Sequence, residues 1–206
     1  MTEIINHSIP SRPDFAAIAA WIRPGAKVLD LGCGDGSLLR YLQDTRNISG
    51  YGVEIDDNNI LSCFKNRINV IQSDLESGLS SFESGSFDYV ILSQTLQAMK
   101  HTEGIIMEML RVGKEGILSF PNFGYWKNRK QVISGHMPIS ETLPYQWYDT
   151  PNIHLCTLDD FEALCHQQGA HILERIVMNG KRRVRLLPNL MGVLAFYRLE
   201  QRKVMD

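Results

Sequence analysis

The sequence predicts an α/β fold in three layers, a mostly parallel sheet with helices on both faces. Three observations predict it. Short, near-continuous apolar runs alternate with amphipathic ones over most of the chain, the pattern of strands buried on both sides. A glycine-rich turn, Gly32 to Gly36, joins the first strand to the helix that follows. Acidic residues stand at or just past the ends of successive strands, on the edge where open α/β sheets take their ligands.

In chain order, Pro13 to Ile22 reads as a helix ahead of the sheet. Lys27 to Leu31 (K-V-L-D-L) is the first strand, followed by a helix from Ser37 to Asp44. Gly50 to Ile55 is the second strand, Asn58 to Lys65 a helix, and Asn69 to Gln72 the third strand. Phe87 to Ser93 is the fourth, entered through the turn residues Ser84, Gly85 and Ser86. Ile105, Ile106, Met109 and Leu110 recur at helical spacing, which predicts a helix over Thr102 to Arg111. Gly116 to Phe120 is the fifth strand, stopped by Pro121. From Pro121 to Cys156 periodicity fades and Pro138, Pro144 and Pro151 accumulate, so an irregular, aromatic-rich insertion is expected there, within one domain spanning residues 1–206. A helix resumes at Thr157 with Asp159 and Asp160 in its first turn, where the helix dipole favours acids, and ends at Gly169. Two strands, His171 to Met178 and Met191 to Arg198, flank a basic turn containing Asn179 and Gly180.

Composition narrows the function. With 44% hydrophobic residues among 206, the chain has enough apolar content for a core without disulfide staples. Lys and Arg total 21 against 23 Asp and Glu, a net charge of −2, which lacks the positive field of a general nucleic-acid binder. No window approaches the ~18 apolar residues of a membrane span. The first ten residues lack a basic segment followed by an apolar one, so no secretory leader is expected and the location is read as cytoplasmic. Cys33, Cys63, Cys156 and Cys165 form no C-x-x-C pair, which predicts reduced thiols and no metal centre. Only Cys33, inside the glycine turn, is expected near a ligand.

The segment V-L-D-L-G-C-G-D-G, Val28 to Gly36, has glycines spaced G-x-G-x-G rather than the G-x-G-x-x-G of dinucleotide sites. Asp30 ends the strand and Asp35 lies inside the turn. Two carboxylates there would repel a pyrophosphate and suit a ligand carrying positive charge without phosphate. S-adenosylmethionine (SAM), with its sulfonium and ammonium, fits that description, and a nicotinamide dinucleotide does not. Glu54 ends the second strand, where an acid accepts from ribose hydroxyls, in charge-assisted bonds contributing about 1.5–3 kcal/mol. Asp74 and Leu75 follow the third strand, suited to an adenine amine and an adenine face, and Ser93 ends the fourth. Glu54 or Asp74 alone reads equally as a helix cap or a solvated loop acid. Their occurrence in order at successive strand ends makes the ligand reading the stronger.

The strings V-L-D-L-G-C-G-D-G, G-V-E-I-D, Q-S-D-L and F-D-Y-V-I-L-S, in that order, resemble the class I SAM-dependent methyltransferases over roughly residues 25–120. That resemblance implies a Rossmann-like, seven-stranded sheet whose last strand is antiparallel. The expected cofactor is SAM or S-adenosylhomocysteine, and the expected binding residues are Asp30, Gly32, Cys33, Gly34, Glu54, Ile55, Asp74, Leu75 and Ser93. A narrower resemblance covers almost the whole chain. The strings I-L-S-Q-T-L-Q-A, M-L-R-V-G, S-F-P-N-F-G-Y-W, L-P-Y-Q-W-Y-D-T-P-N-I-H-L-C-T and D-F-E-A-L-C are similar to the MetW family of methionine biosynthesis proteins. Membership implies association with homoserine O-acyltransferase as an accessory subunit and leaves the chain's own chemistry open.

Methyl transfer from a sulfonium needs in-line positioning more than a base, so no catalytic residue is assigned. The absence of N-P-P-Y or D-P-P-Y after the fourth strand argues against a nucleobase-amine acceptor. Pro121, Asn122, Phe123, Trp126, Tyr145, Trp147, Tyr148, Asn152 and His154 make the insertion a packed lid, a protein-binding surface or an acceptor pocket. Arg12 reads as a surface residue or a partner for the SAM carboxylate, and His101 as a surface residue. Lys181, Arg182, Arg183 and Arg185 form a basic run, a solvated hairpin tip or a contact for an acidic partner. Three functions follow: an accessory subunit, a small-metabolite methyltransferase, and, disfavoured by Asp30 and the glycine spacing, a dehydrogenase.

Overall fold

The computed structural model describes residues 12–201. The leader reading rests on residues 1–10 and lies outside that range. Helix α1 (Pro13–Trp21) precedes β1 (Lys27–Leu31), α2 (Ser37–Arg46), β2 (Ser49–Glu54), α3 (Asp57–Lys65) and β3 (Val70–Gln72). Then come β4 (Phe87–Ser93), α4 (Thr102–Val112), β5 (Gly113–Pro121), α5 (Trp126–Ile133), α6 (Leu158–Gln167), β6 (Ala170–Asn179), β7 (Arg182–Arg183), α7 (Pro188–Met191) and β8 (Leu194–Gln201).

The strands form one sheet in the order β3-β2-β1-β4-β5-β8-β6-β7. Strands β1 to β5 run parallel, while β8 is antiparallel to both β5 and β6. The reversal of strand order at β1 and β4 creates the crevice typical of ligand sites in this architecture. Alternation along the strands divides the core. Leu29, Leu31, Val90, Leu92 and Phe120 face α4 and α6, whereas Val28, Tyr89, Ile91 and Phe196 face α1 and α2. Phe120 packs at 4.9 Å from Phe161 and stacks at 5.8 Å on Tyr197, tying β5 to α6 and β8.

Three expectations change. The last strand, expected from Met191, begins at Leu194, behind the short helix α7 that ends at Met191. The sheet has eight strands rather than seven. After the turn at Gly180 the basic run folds back, and Arg182 and Arg183 pair with Asn179 and Met178 as a two-residue edge strand. The insertion also contains a helix, α5, which its polar sequence W-K-N-R-K-Q-V-I concealed. Asparagines hold it rather than an apolar stripe: Asn128 is buried and its Nδ2 donates to the carbonyls of Asn122 and Phe123. Asn122, also buried, donates to the Asn189 and Gly192 carbonyls at 2.9 Å and accepts from the Gly124 amide. The later part of the insertion is clamped to the turn that follows β4, where the amides of Ile153 and His154 both donate to the Gln97 carbonyl.

Candidate functional site

The carboxyl ends of β1 to β4 converge on one edge. Asp30 pairs in register with Gly52 on one side and Ile91 on the other, so β1 sits between β2 and β4 at this edge. Side chains alternate along a strand. Asp30 therefore shares a face with Val28, and Glu54 lies on the same side of β2, both turned toward the glycine loop and α2. Gly32, Gly34 and Gly36 all have positive φ, a region that disfavours side chains. At Gly32 the close approach is also steric: a Cβ would stand 2.8 Å from Thr95, in the segment after β4. At Gly34 nothing lies within 4 Å of where a Cβ would be, which leaves the loop backbone bare toward the edge.

Glu54 holds that loop in shape. It is 8% exposed; one carboxylate oxygen accepts from the Gly34 amide at 2.8 Å and the other from the Ile55 and Asp56 amides at 2.9 and 3.0 Å. The Gly32 and Cys33 amides donate to the Val53 carbonyl, completing the link between loop and β2. This bracing was not readable from Glu54 and Gly34 themselves, which lie twenty positions apart; the sequence signal was an acid ending a strand beside a glycine turn.

Asp30 is in a different state. It is 2% exposed, and its Oδ1 has no hydrogen-bond partner among the described residues. Burial, reinforced by the Glu54 carboxylate, pushes its carboxyl up to about 8. A buried, unpartnered carboxyl at the mouth of a bare glycine loop is what a cationic ligand group would satisfy. The sign and the geometry fit SAM or S-adenosylhomocysteine, with an ammonium and no phosphate.

The remaining residues spread outward along the edge. Ile55 is exposed just past β2. Asp74 is exposed and caps the short turn Leu75–Ser77 through the Glu76 amide, with Leu75 half-buried beside it; the adjoining Ser73 amide donates to the Glu54 carbonyl. Ser93, at the end of β4, bonds Ser119 of β5 at 3.1 Å. Gln94, the next residue, is held in the left-handed region. Cys33 turns its thiol inward, 3.8 Å from the Cys63 sulfur, and burial pushes both thiols up. What Cys33 offers the edge is backbone. Asp35 accepts from the Ser37 amide at the start of α2, and Arg12 is engaged bidentately by Asp14.

Beside this edge, under the insertion, lies a cleft of about 260 Å3 lined by Leu96, Gln97, Phe120, His154, Leu155 and Phe161 among others. His154 lies at its wall with Nε2 3.3 Å from the Lys100 carbonyl. Sequence reasoning singled out His154 but missed Gln97, whose carbonyl anchors the insertion; its position after β4 was the available signal. Among the described residues there is no cluster of metal-ligating side chains and no helix long and apolar enough to cross a membrane.

Comparison with known proteins agrees with this architecture. A bifunctional methionine biosynthesis protein MetXA/MetW of Rhodopirellula baltica is 36% identical over 202 residues, covering 90% of this chain. The chain spans only 32% of that relative's length. A SAM-dependent methyltransferase of Thermotoga maritima superposes with a TM-score of 0.66 at 15% identity, over 92% of this chain and 88% of the other. Phosphoethanolamine N-methyltransferase 2 of Haemonchus contortus, solved in complex with SAM, gives 0.65 at 16% identity, over 92% and 52%. At such identities the likeness is one of fold. The family described as methionine biosynthesis protein MetW matches residues 12–199, and the chain belongs to that family, built on the α/β fold of SAM-dependent methyltransferases.

Proposed function

We propose that this chain is a SAM-binding accessory subunit of homoserine O-acyltransferase. One observation carries the reading: in the 36%-identical relative, segments named MetXA and MetW share one polypeptide. Fusion fixes two parts at a high effective concentration, the covalent counterpart of an interface between separate chains. In the MetW family the partner implied is homoserine O-acyltransferase, acting at an early step of a pathway whose later product is SAM.

The site supports binding of SAM or S-adenosylhomocysteine. Asp30, once ionised, is the acceptor for the ligand ammonium, and the bare backbone at Gly32, Cys33 and Gly34 lets the amino-acid portion approach. Glu54, while bracing the loop, keeps one acceptor site, on the oxygen that holds Gly34, for a ribose hydroxyl. Ile55 and Leu75 offer apolar contact for adenine, Asp74 an acceptor for its amine, and Ser93 a polar wall at the β4 end. When bound, SAM supplies an electrophilic methyl group on sulfur.

The test is the rate of the acyltransferase from the same organism, with and without this chain, at increasing SAM. The expected result is a rate that rises on mixing and responds to SAM. An unchanged rate with separate elution of the two proteins would refute the accessory reading. The cleft at the β4 end favours a second reading, methyl transfer to a small metabolite. Labelled SAM incubated with a metabolite extract tests it, and absence of any labelled product sinks it.

A further inference from the structure

The segment after β6 is unlike the rest of the surface. Lys181, Arg182, Arg183 and Arg185 place four cations within five residues of a chain whose net charge is −2, and no acid occurs between Lys181 and Met191. None of the four forms an ion pair among the described residues. The edge strand β7 doubles the segment back along β6 and sets Arg183 and Arg185 on the α6 side of the sheet. There Arg183 donates to the Arg175 carbonyl at 3.3 Å. Arg175, Arg183 and Arg185, with Val177, Val184 and Pro188, line a concavity of about 280 Å3. Arg175 is neutralised by Glu162, which leaves Arg183 and Arg185 as its uncompensated charges.

Apolar exposure adjoins that charge. Leu186 is 80% and Leu187 59% exposed. Leu187 also sits in the left-handed region at φ 47°, where a branched side chain is strained. Its carbonyl accepts from the Leu190 and Met191 amides, starting α7. A strained leucine beside one that is 80% exposed, bordered by arginines without ion-pair partners among the described residues, sets guanidinium groups next to apolar contact, a combination suited to a protein-binding surface. A small anion would satisfy the arginines and leave the leucines in water.

We propose that this basic hairpin, Lys181 to Leu187, is the surface on which the acyltransferase docks, through an acidic, partly apolar patch of that partner. The proposal rests on the accessory-subunit reading above and is carried by charge complementarity: a concentrated positive patch on an otherwise slightly acidic protein selects and steers an acidic partner surface.

The experiment measures the dissociation constant of the full-length chain and the acyltransferase from the same organism, at about 50 and about 300 mM salt. Wild type should weaken at the higher salt. The triple change Arg182→Glu, Arg183→Glu and Arg185→Glu should weaken binding by about thirtyfold or more and abolish the salt dependence. Leu186→Ser should weaken it by about tenfold. Trp147→Ser, on the exposed face of the insertion, should change it less than about threefold. The triple glutamine variant, Arg182→Gln, Arg183→Gln and Arg185→Gln, guards against misfolding: its melting temperature and its S-adenosylhomocysteine affinity should match wild type while binding to the acyltransferase falls. If wild type forms the complex and the hairpin variants form it equally well, the docking surface is wrong and the accessory reading stands. If wild type forms no complex, both fail. If the isolated chain binds inorganic phosphate at about 100 μM or tighter, and loses it in the triple glutamine variant, the concavity is a small-anion site and the proposal is overturned.

Discussion

If Asp30 receives the ligand ammonium as proposed, binding is coupled to a proton that calorimetry can count. Its carboxyl is pushed up to about 8 by burial and by Glu54, so at pH 7 about nine-tenths of the chains hold it protonated. A ligand ammonium lodged against it requires the carboxylate. Binding of S-adenosylhomocysteine at pH 7 should therefore release about 0.9 proton from this site, and the affinity should fall about fiftyfold between pH 8 and pH 6. Titrations in two buffers of different ionisation enthalpy give the proton count. Asp30→Asn keeps the shape and removes the charge, so it should bind more weakly at pH 8 and lose the pH dependence; the ligand's own amine titrates alike in both. Equal pH slopes and equal proton release in wild type and Asp30→Asn would refute the reasoning. The ligand-free protein should respond to pH in the opposite sense. An unfolded aspartate ionises near 3.9 and the folded one near 8, so the folded chain holds the extra proton between these values. The stability that proton contributes is complete below about pH 4 and is lost as pH rises to about 8, on the order of 5 kcal/mol at the limit. In Asp30→Asn, the denaturation midpoint should stay flatter across that window.

Glu54→Gln leaves one oxygen to serve donors that now hold two, and points an amide nitrogen at backbone N–H groups. S-adenosylhomocysteine binding should weaken about ten- to a hundredfold, and unchanged calorimetric affinity would remove Glu54 from the site. Gly32→Ala places a methyl 2.8 Å from Thr95 at φ +67°; it should lower stability by about 1–3 kcal/mol, with partial recovery when Thr95→Ala opens the space, as read by denaturant titration. Phe120→Ala empties the contact with Phe161 and Tyr197 and should cost about 3–5 kcal/mol in the same measurement.

Much of this was legible in the residues. The parallel strands were readable because Val28 to Leu31 and Tyr89 to Leu92 are buried on both faces and therefore apolar throughout apart from Asp30. That exception was itself the clue to a cationic ligand. Helix α5 escaped because its inward residue is an asparagine, so hydrophobic periodicity carried no signal there. Edge strand β7 escaped because two residues are too few to show alternation; its pairing is set by the turn at Gly180. The Glu54 brace on Gly34 required the parallel pairing of β1 and β2, a tertiary fact that no local window contains. The inward turn of the Cys33 thiol was hidden for a similar reason, since its sulfur partner comes from α3.

Strand β8 has a bearing on how the chain is made. It lies between β5 and β6, with Ala195, Phe196, Tyr197 and Leu199 fully enclosed. During synthesis, β1 to β5 and even β6 emerge before the strand that joins them, leaving an apolar seam in the growing sheet. The crevice at β1 and β4 can begin to assemble early, but the domain closes only after residues 194–201 leave the ribosome. A chain truncated before Leu194 lacks the strand that joins β5 to β6 and should be prone to aggregate.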